Sequence, residues 1–249
     1  MYSSPVRSRA ACSAIRQKGL TEKNRGRLRA LSDPMAQLRL LDLSEQLLRL
    51  AGRQRNPHKR ALHAQIALAI EVLLHAPIRL SNLVSLRLDR HFSATRPGLR
   101  GLVHLVIPAE EVKNLQRLQF EVSSKVAQLL RLYVKEHLPV LSNGEPIWLF
   151  PGQVSGNKHP VSLGDQIGKA ILKHAGLHMN VHLFRHFASM MYLREKPGAF
   201  ALVARLLGHK SVQTTMDFYA EFDTAAAARH YEETCLAPRR GTTKGKRRP

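Results

Sequence analysis

The chain has 249 residues, 44% of them hydrophobic, and carries a formal charge of +21 with a pI near 10.9. That length and apolar content are enough for a sizeable core. No apolar run reaches membrane-spanning length, because residues 61–76 are interrupted by His63, Gln65 and Glu71. The opening MYSSPVRSRAACSAIRQKG has basic residues with no apolar stretch behind them, which argues against a secretory signal. Cys12 and Cys235 lie near opposite ends and form no disulfide or metal framework, as suits a reducing cytoplasm. The excess of positive charge speaks about partners, and a polyanion such as nucleic acid is the natural one.

In chain order, residues 1–60 hold fourteen Lys/Arg against four Asp/Glu, and residues 1–33 read as a basic, loosely structured arm. Asp33-Pro34 opens a helix whose leucines at 38, 41, 47, 48 and 50 mark an apolar stripe. The globular part is expected from Pro57. Residues 61–75 have helical spacing stopped by Pro77, and Ser81 is placed to cap a short helix through Leu86. The period then changes. GLVHLVI (101–107) and RLQFEV (117–122) are β-rich runs separated by a polar loop, which predicts a hairpin. A helix follows over 123–137, and residues 147–150 form a short apolar run ended by Pro151-Gly152. Helices are predicted at 163–175, stopped by Gly176, and at 182–195, 199–207 and 211–219, and 220–236 also has helical character. The last residues, 236–249, contain six Lys/Arg and no acid and read as a disordered basic tail. The expected fold class is α+β: a mostly helical domain over 57–235 with one small antiparallel sheet, preceded by a basic arm and helix over 1–56.

Several residues fit the needs of phosphodiester exchange: a nucleophile, cations for the phosphoryl oxygens and an acid for the leaving oxygen. Arg79, in HAPIRLSNL, follows a helix-breaking proline at a helix entrance, and its guanidinium fork matches two phosphate oxygens. Lys113, in PAEEVKNLQ, sits in the hairpin loop. In VHLFRH, His182 and Arg185 are three apart and share a helix face. His182 and His186 at helical spacing are the alternative, a zinc pair, but Leu183 stands where a zinc protease needs Glu and no thiolate cluster supports a metal. In LLGHKSVQTTMDFY, Gly208 ends a helix, His209 occupies the turn, Ser211 caps the next helix, and Tyr219 lies at its far end. A tyrosine hydroxyl, with an ordinary pKa of about 10, needs neighbouring cations and a base to attack. Tyr133, Tyr192 and Tyr231 are the other tyrosines of the globular part, and no comparable turn precedes Tyr231 at close range.

Taken in the order Arg79, Lys113, His182, Arg185, His209, Tyr219, the pattern resembles the tyrosine recombinases, the phage-integrase family, over about residues 57–235. The resemblance implies a DNA recombinase or integrase that cuts and rejoins double-stranded DNA through a 3′-phosphotyrosyl bond, with no metal, nucleotide or other cofactor. Arg79, Arg185 and His209 would hold the scissile phosphate, Lys113 would protonate the leaving 5′ oxygen, His182 would assist proton removal and Tyr219 would attack. It also implies a homo-oligomer on DNA, a tetramer in synapsis, in the cytoplasm or nucleoid of a prokaryote, with the segment 220–236 docking on a neighbouring protomer.

Family members usually carry a full helical DNA-clamping domain ahead of the catalytic one, whereas about sixty residues stand there in this sequence. A truncated gene, a fragment and a minimal variant all fit that departure. The rival functions are a tyrosine-type relaxing topoisomerase and a remnant that only binds DNA. If basic side chains contact DNA phosphates, the logarithm of affinity for duplex DNA falls against the logarithm of salt with a slope of about −0.9 per contact. A filter-binding or fluorescence titration across salt concentrations measures this, and a flat line excludes nucleic acid as the partner.

Overall fold

A computed structural model describes residues 20–97, 99–144 and 146–236. Residues 1–19 of the expected arm and most of the basic tail lie outside the described residues.

Residues 22–30, expected within a loose arm, are helical instead: α1 (Glu22–Ala30) is capped by Thr21, whose side chain accepts from the Asn24 N–H. Leu20, Leu28 and Leu31 are buried and belong to the main core. Apolar burial outweighs the segment's positive charge here, because Leu28 is buried while Arg25 and Arg27 are only half-buried and Arg29 is exposed. Asp33 does open the next helix, α2 (Pro34–Leu41), accepting from the N–H groups of Met35 and Ala36 at 3.2 and 3.1 Å. The chain then breaks step at Asp42 before α3 (Leu43–Gly52). That break changes the apolar phase. Ala36, Leu40, Leu43, Leu47 and Ala51 face the core, while Leu38 and Leu41 of the expected stripe are exposed.

α4 (Pro57–His75) is the central helix. Asn56 caps it and Pro57 occupies its first turn, where the missing N–H costs nothing. It is buried along most of its length, and its two buried polar residues have partners. Gln65 donates to the Tyr133 hydroxyl at 3.1 Å, and Glu71 accepts from Ser44 on α3. α3 packs along α4, so residues before Pro57 share one continuous core with those after it. Short α5 (Leu80–Val84) follows.

The sheet has three antiparallel strands in sequential order rather than the expected two: β1 (Phe92–Arg96), β2 (Arg100–Ile107) and β3 (Leu118–Val122). Leu105 pairs with Phe92 on one side and Phe120 on the other, and Val103, Leu105 and Ile107 point into the core. β1 was not apparent from the sequence because FSATR is a polar, solvent-facing edge strand.

The remaining elements are helical. α6 (Ser124–Leu132), capped by Ser123, continues through a wide turn at Tyr133–His137 into α7 (Leu138–Leu141). Residues 147–150 form no strand, only an isolated bridge between Trp148 and Arg87. Then come α8 (Pro160–Ala175), α9 (Val181–Glu195), α10 (Phe200–Leu207) and α11 (Val212–Tyr231). Gly176 and Gly208 end α8 and α10 in the left-handed conformation, as their positions suggested. Among the described residues, no helix is long and apolar enough to cross a membrane.

Because Leu28 is wholly buried against this core, Leu28→Ala is expected to cost about 2–5 kcal/mol of stability. Urea unfolding measures it. An unchanged midpoint would mean that α1 is not part of the packed body.

Candidate active site

Arg79 stands where α4 cannot continue. Ala76 precedes Pro77 and is extended, and Arg79 itself is the N-cap residue of α5. Ser81, expected as the cap, lies inside the helix and its hydroxyl contributes no capping bond. The Arg79 side chain is half-buried. Its Nη1 is shielded from solvent and has no hydrogen-bond partner among the described residues. Burial lowers its pKa.

Arg185 lies on α9, opened by Asn180, whose side chain accepts the Leu183 N–H at 3.1 Å. Arg185 is 3% exposed. Nη1 donates to the Pro77 carbonyl at 2.7 Å and Nη2 to the Leu207 carbonyl at 2.8 Å. These carbonyls sit two residues before Arg79 and two before His209, so one buried cation joins both segments. Burial, reinforced by the Arg79 charge and opposed by Tyr219, pushes its pKa down to about 10.

The turn after α10 places His209. The Gly208 N–H donates to Arg205 and the His209 N–H to Ala204, closing the helix end. His209 Nε2 is 3.4 Å from Arg185 Nη2 and Nδ1 is 2.9 Å from the hydroxyl of buried Thr215. A guanidinium only donates, so Nε2 accepts and the proton sits on Nδ1, pointing at Thr215. Burial, then Arg185 and Arg79, lower the imidazole's pKa to about 4.

Tyr219 is 2% exposed and packs with Leu193, Val203 and Leu207 where α9, α10 and α11 meet. Its hydroxyl lies 2.8 Å from His186 Nδ1. Burial raises the tyrosine's pKa, against a hydrogen bond with Ser189 and the Arg185 charge, so the hydroxyl keeps its proton beside Nδ1. The imidazole at the tyrosine is therefore His186, not His182. Burial, then the neighbouring His182, Arg185 and His209, lower the His186 pKa to about 3. His182 is exposed and meets His186 edge to face, with ring centroids 4.7 Å apart. Its pKa is lowered by desolvation, then by Arg185 and Arg79.

Five of the six residues singled out from the sequence thus share one constellation. Lys113 stands apart: it is exposed in the β2–β3 loop and makes no hydrogen bond to the other five. Its loop does dock on the site, because Asn114 Nδ2 donates to the Gly208 carbonyl at 2.9 Å.

The family model described as the phage integrase family matches residues 43–225. The chain belongs to the phage integrase family. Among solved structures, this integrase-family chain is similar to the XerH site-specific recombinase bound to palindromic difH substrate in a post-cleavage complex. That match has 20% identity and a TM-score of 0.57, over 79% of this chain and 51% of the other. The pre-cleavage complex of XerH with difH substrate gives 19% identity and 0.53, over 71% and 48%. XerA recombinase gives 17% and 0.52, over 77% and 61%. The integrase-family chain spans about half to three-fifths of the length of these structures, and at such identities the likeness speaks for the fold. No curated protein matches the sequence.

Sequence reasoning weighed His186 only as a zinc ligand, and did not single out Ser189, Thr215 or Asn114 from this integrase-family site. The one available signal for His186 was its position four residues after His182 and next to Arg185, on a helix expected to face the tyrosine.

His186 and His209 stay neutral in the folded site while the unfolded chain takes up protons below the ordinary histidine pKa of 6.5. Their contribution is fully present above pH 6.5 and is lost as pH falls toward 4. The urea midpoint is therefore expected to drop between pH 7 and 5, above the range where most carboxylates titrate. A midpoint that does not move contradicts the neutral pair, and His186→Gln is expected to flatten the slope.

Proposed function

We propose that this protein breaks and rejoins DNA strands as a site-specific recombinase, using Tyr219 as nucleophile and the Arg79–Arg185–His209 cluster to hold the scissile phosphate. The observation that carries the reading is two guanidinium groups converging beside a tyrosine with no carboxylate counter-ion. Among the described residues neither Arg79 nor Arg185 makes an ion pair, and Nη1 of Arg79 is left without a partner. Buried cations so arranged favour an anion that brings its own acceptors, and a phosphodiester supplies two non-bridging oxygens.

Arg79 offers its open fork to those oxygens. Arg185, already committed to two carbonyls, supplies charge and fixes the spacing of the segments around it. His209 adds a donor once the phosphate's negative charge favours protonation of Nε2. Tyr219 attacks phosphorus as its proton passes to His186 Nδ1, forming the bond from the tyrosine oxygen to phosphorus. The bond from phosphorus to the 5′ oxygen breaks, and Lys113 delivers a proton to that oxygen. Reversal of the same transfers by a second 5′ hydroxyl releases the tyrosine. The bulk charge of +21 favours association with a polyanion such as duplex DNA. The partners in this reading are double-stranded DNA and further copies of the chain, and the reaction takes no cofactor.

The test uses suicide duplexes, nicked near the scissile step and drawn from a sequence-randomised pool, so that the leaving fragment diffuses away and protein stays on the 3′ phosphate. Wild-type protein is expected to yield a covalent adduct of defined sequence, and Tyr219→Phe to bind DNA but form none. Arg185→Lys, which keeps charge but cannot span both carbonyls, is expected to slow adduct formation at least about 100-fold, as loss of oriented charge stabilisation does. An adduct in Tyr219→Phe, or no adduct from any duplex with wild-type protein, defeats the reading.

A further inference from the structure

Lys113 raises a problem of position. Its side chain is long, exposed and unbonded, yet a proton donor must sit at one atom of the substrate. Whatever places it has to act through the backbone of its loop, and that loop is tied down at both ends.

Upstream, the Glu111 carbonyl accepts from Asn82 of α5 at 2.9 Å, and the Glu111 carboxylate meets His91 Nε2 at 2.8 Å and Arg90 at 2.8 Å. The Arg87 N–H donates to His91 Nδ1, so Nε2 carries the proton directed at Glu111. Val112 is 1% exposed and pins the loop to the core. Downstream, Asn114 Nδ2 reaches the Gly208 carbonyl, and Leu115 turns the chain at φ 52°, its N–H donating to Val112. Leu118 then packs on Gly208 so closely that a Cβ there would come within 2.7 Å of its Cδ2. The two carbonyls at this turn are consecutive: Leu207 takes Arg185 and Gly208 takes Asn114. The same peptide turn therefore receives the buried phosphate-site arginine on one side and the lysine loop on the other.

We propose that Asn114 is a positioning residue for the leaving-group step: by gripping the Gly208 carbonyl it sets Lys113 in register with the phosphate held by Arg79, Arg185 and His209. The inference rests on the strand-cleavage reading above and adds to it a residue that touches neither phosphate nor nucleophile. Its signature is selective. If Asn114 serves only to place the acid, its loss matters when the leaving atom needs a proton and not otherwise. A 5′-bridging sulfur provides the contrast: the phosphorus–sulfur bond breaks and a thiolate departs, stable without protonation because thiols ionise near pH 8.5.

The experiment measures single-turnover adduct formation on the captured suicide duplex, with 5′-oxygen and with 5′-bridging sulfur at the scissile step. It uses full-length wild-type protein, Asn114→Ala and Asn114→Asp, the last nearly isosteric but unable to donate to a carbonyl. On the oxygen duplex both variants are expected to lose at least tenfold, part of the 10²–10⁴-fold that a general acid contributes. On the sulfur duplex they are expected to fall within about threefold of wild type, and Lys113→Ala/Asn114→Ala to lose no more than Lys113→Ala alone. Equal losses on both duplexes would assign Asn114 to the general integrity of the turn and overturn the proposal, as would full activity on oxygen. Thermal melting identifies a variant that fails to fold, and the other substitution then decides. Absence of adduct with wild-type protein on both duplexes would instead remove the strand-cleavage reading itself.

Discussion

The site is organised by a buried positive charge that has no negative partner among the described residues. Removing a guanidinium from water is expensive, and an ion pair is the usual remedy. Arg185 uses backbone carbonyls instead, each charge-assisted bond contributing about 1.5–3 kcal/mol. This choice has two effects. The charge is not neutralised, so the field it projects toward Arg79, His182, His186 and His209 remains positive. And because carbonyls belong to the main chain, the arginine acts as a strut between two stretches of backbone that are distant in sequence. A carboxylate partner would have satisfied the guanidinium equally well while cancelling the attraction for an anion.

Around that strut, the neighbouring groups keep their neutral forms. His186 and His209 are both held well below the ordinary histidine range, and Tyr219 is held above the ordinary tyrosine value. A cluster with two permanent cations and three groups biased to be uncharged carries net positive charge in a poorly hydrated setting, where electrostatic interactions with an arriving anion are strong. Gly208 is the geometric counterpart of Arg185. Its φ of 61° and the approach of Leu118 both demand the absence of a side chain, and its carbonyl holds the hairpin.

Much of this was readable where the signals are local. Asp33 and Ser211 cap the helices they were expected to open, and Gly176 and Gly208 end theirs, because capping is settled within four residues. The alternating β2 and β3 also declared themselves. The apolar stripe between 38 and 50 did not, because the break at Asp42 shifts the helical phase and no composition cue marks it. Ser81 looked like a cap, but the helix begins two residues too early for its hydroxyl to serve. In the site, the arginines and Tyr219 stood out by residue type and order. His186 could not be told from His182, since their difference lies in which one a helix 33 residues away presents its tyrosine to. Asn114 was invisible for the same reason: its bond spans 94 residues and uses a carbonyl, which every residue has.

The way α1 joins the rest of the molecule constrains how this protein could be rebuilt. Ser32 on the α1–α2 connection touches Met190 and takes the Arg194 guanidinium on its carbonyl, while Leu20, Leu28 and Leu31 lie in the same core as α4 and α9. Residue 34 or residue 57 looks on paper like a natural seam for grafting a DNA-clamping module from a relative. A chimera joined at either point would strip apolar partners from the very helix that carries Arg185, and its failure would say nothing about the grafted module. A junction ahead of Leu20 leaves that helix fully supported, so a hybrid spliced there reports on the module alone.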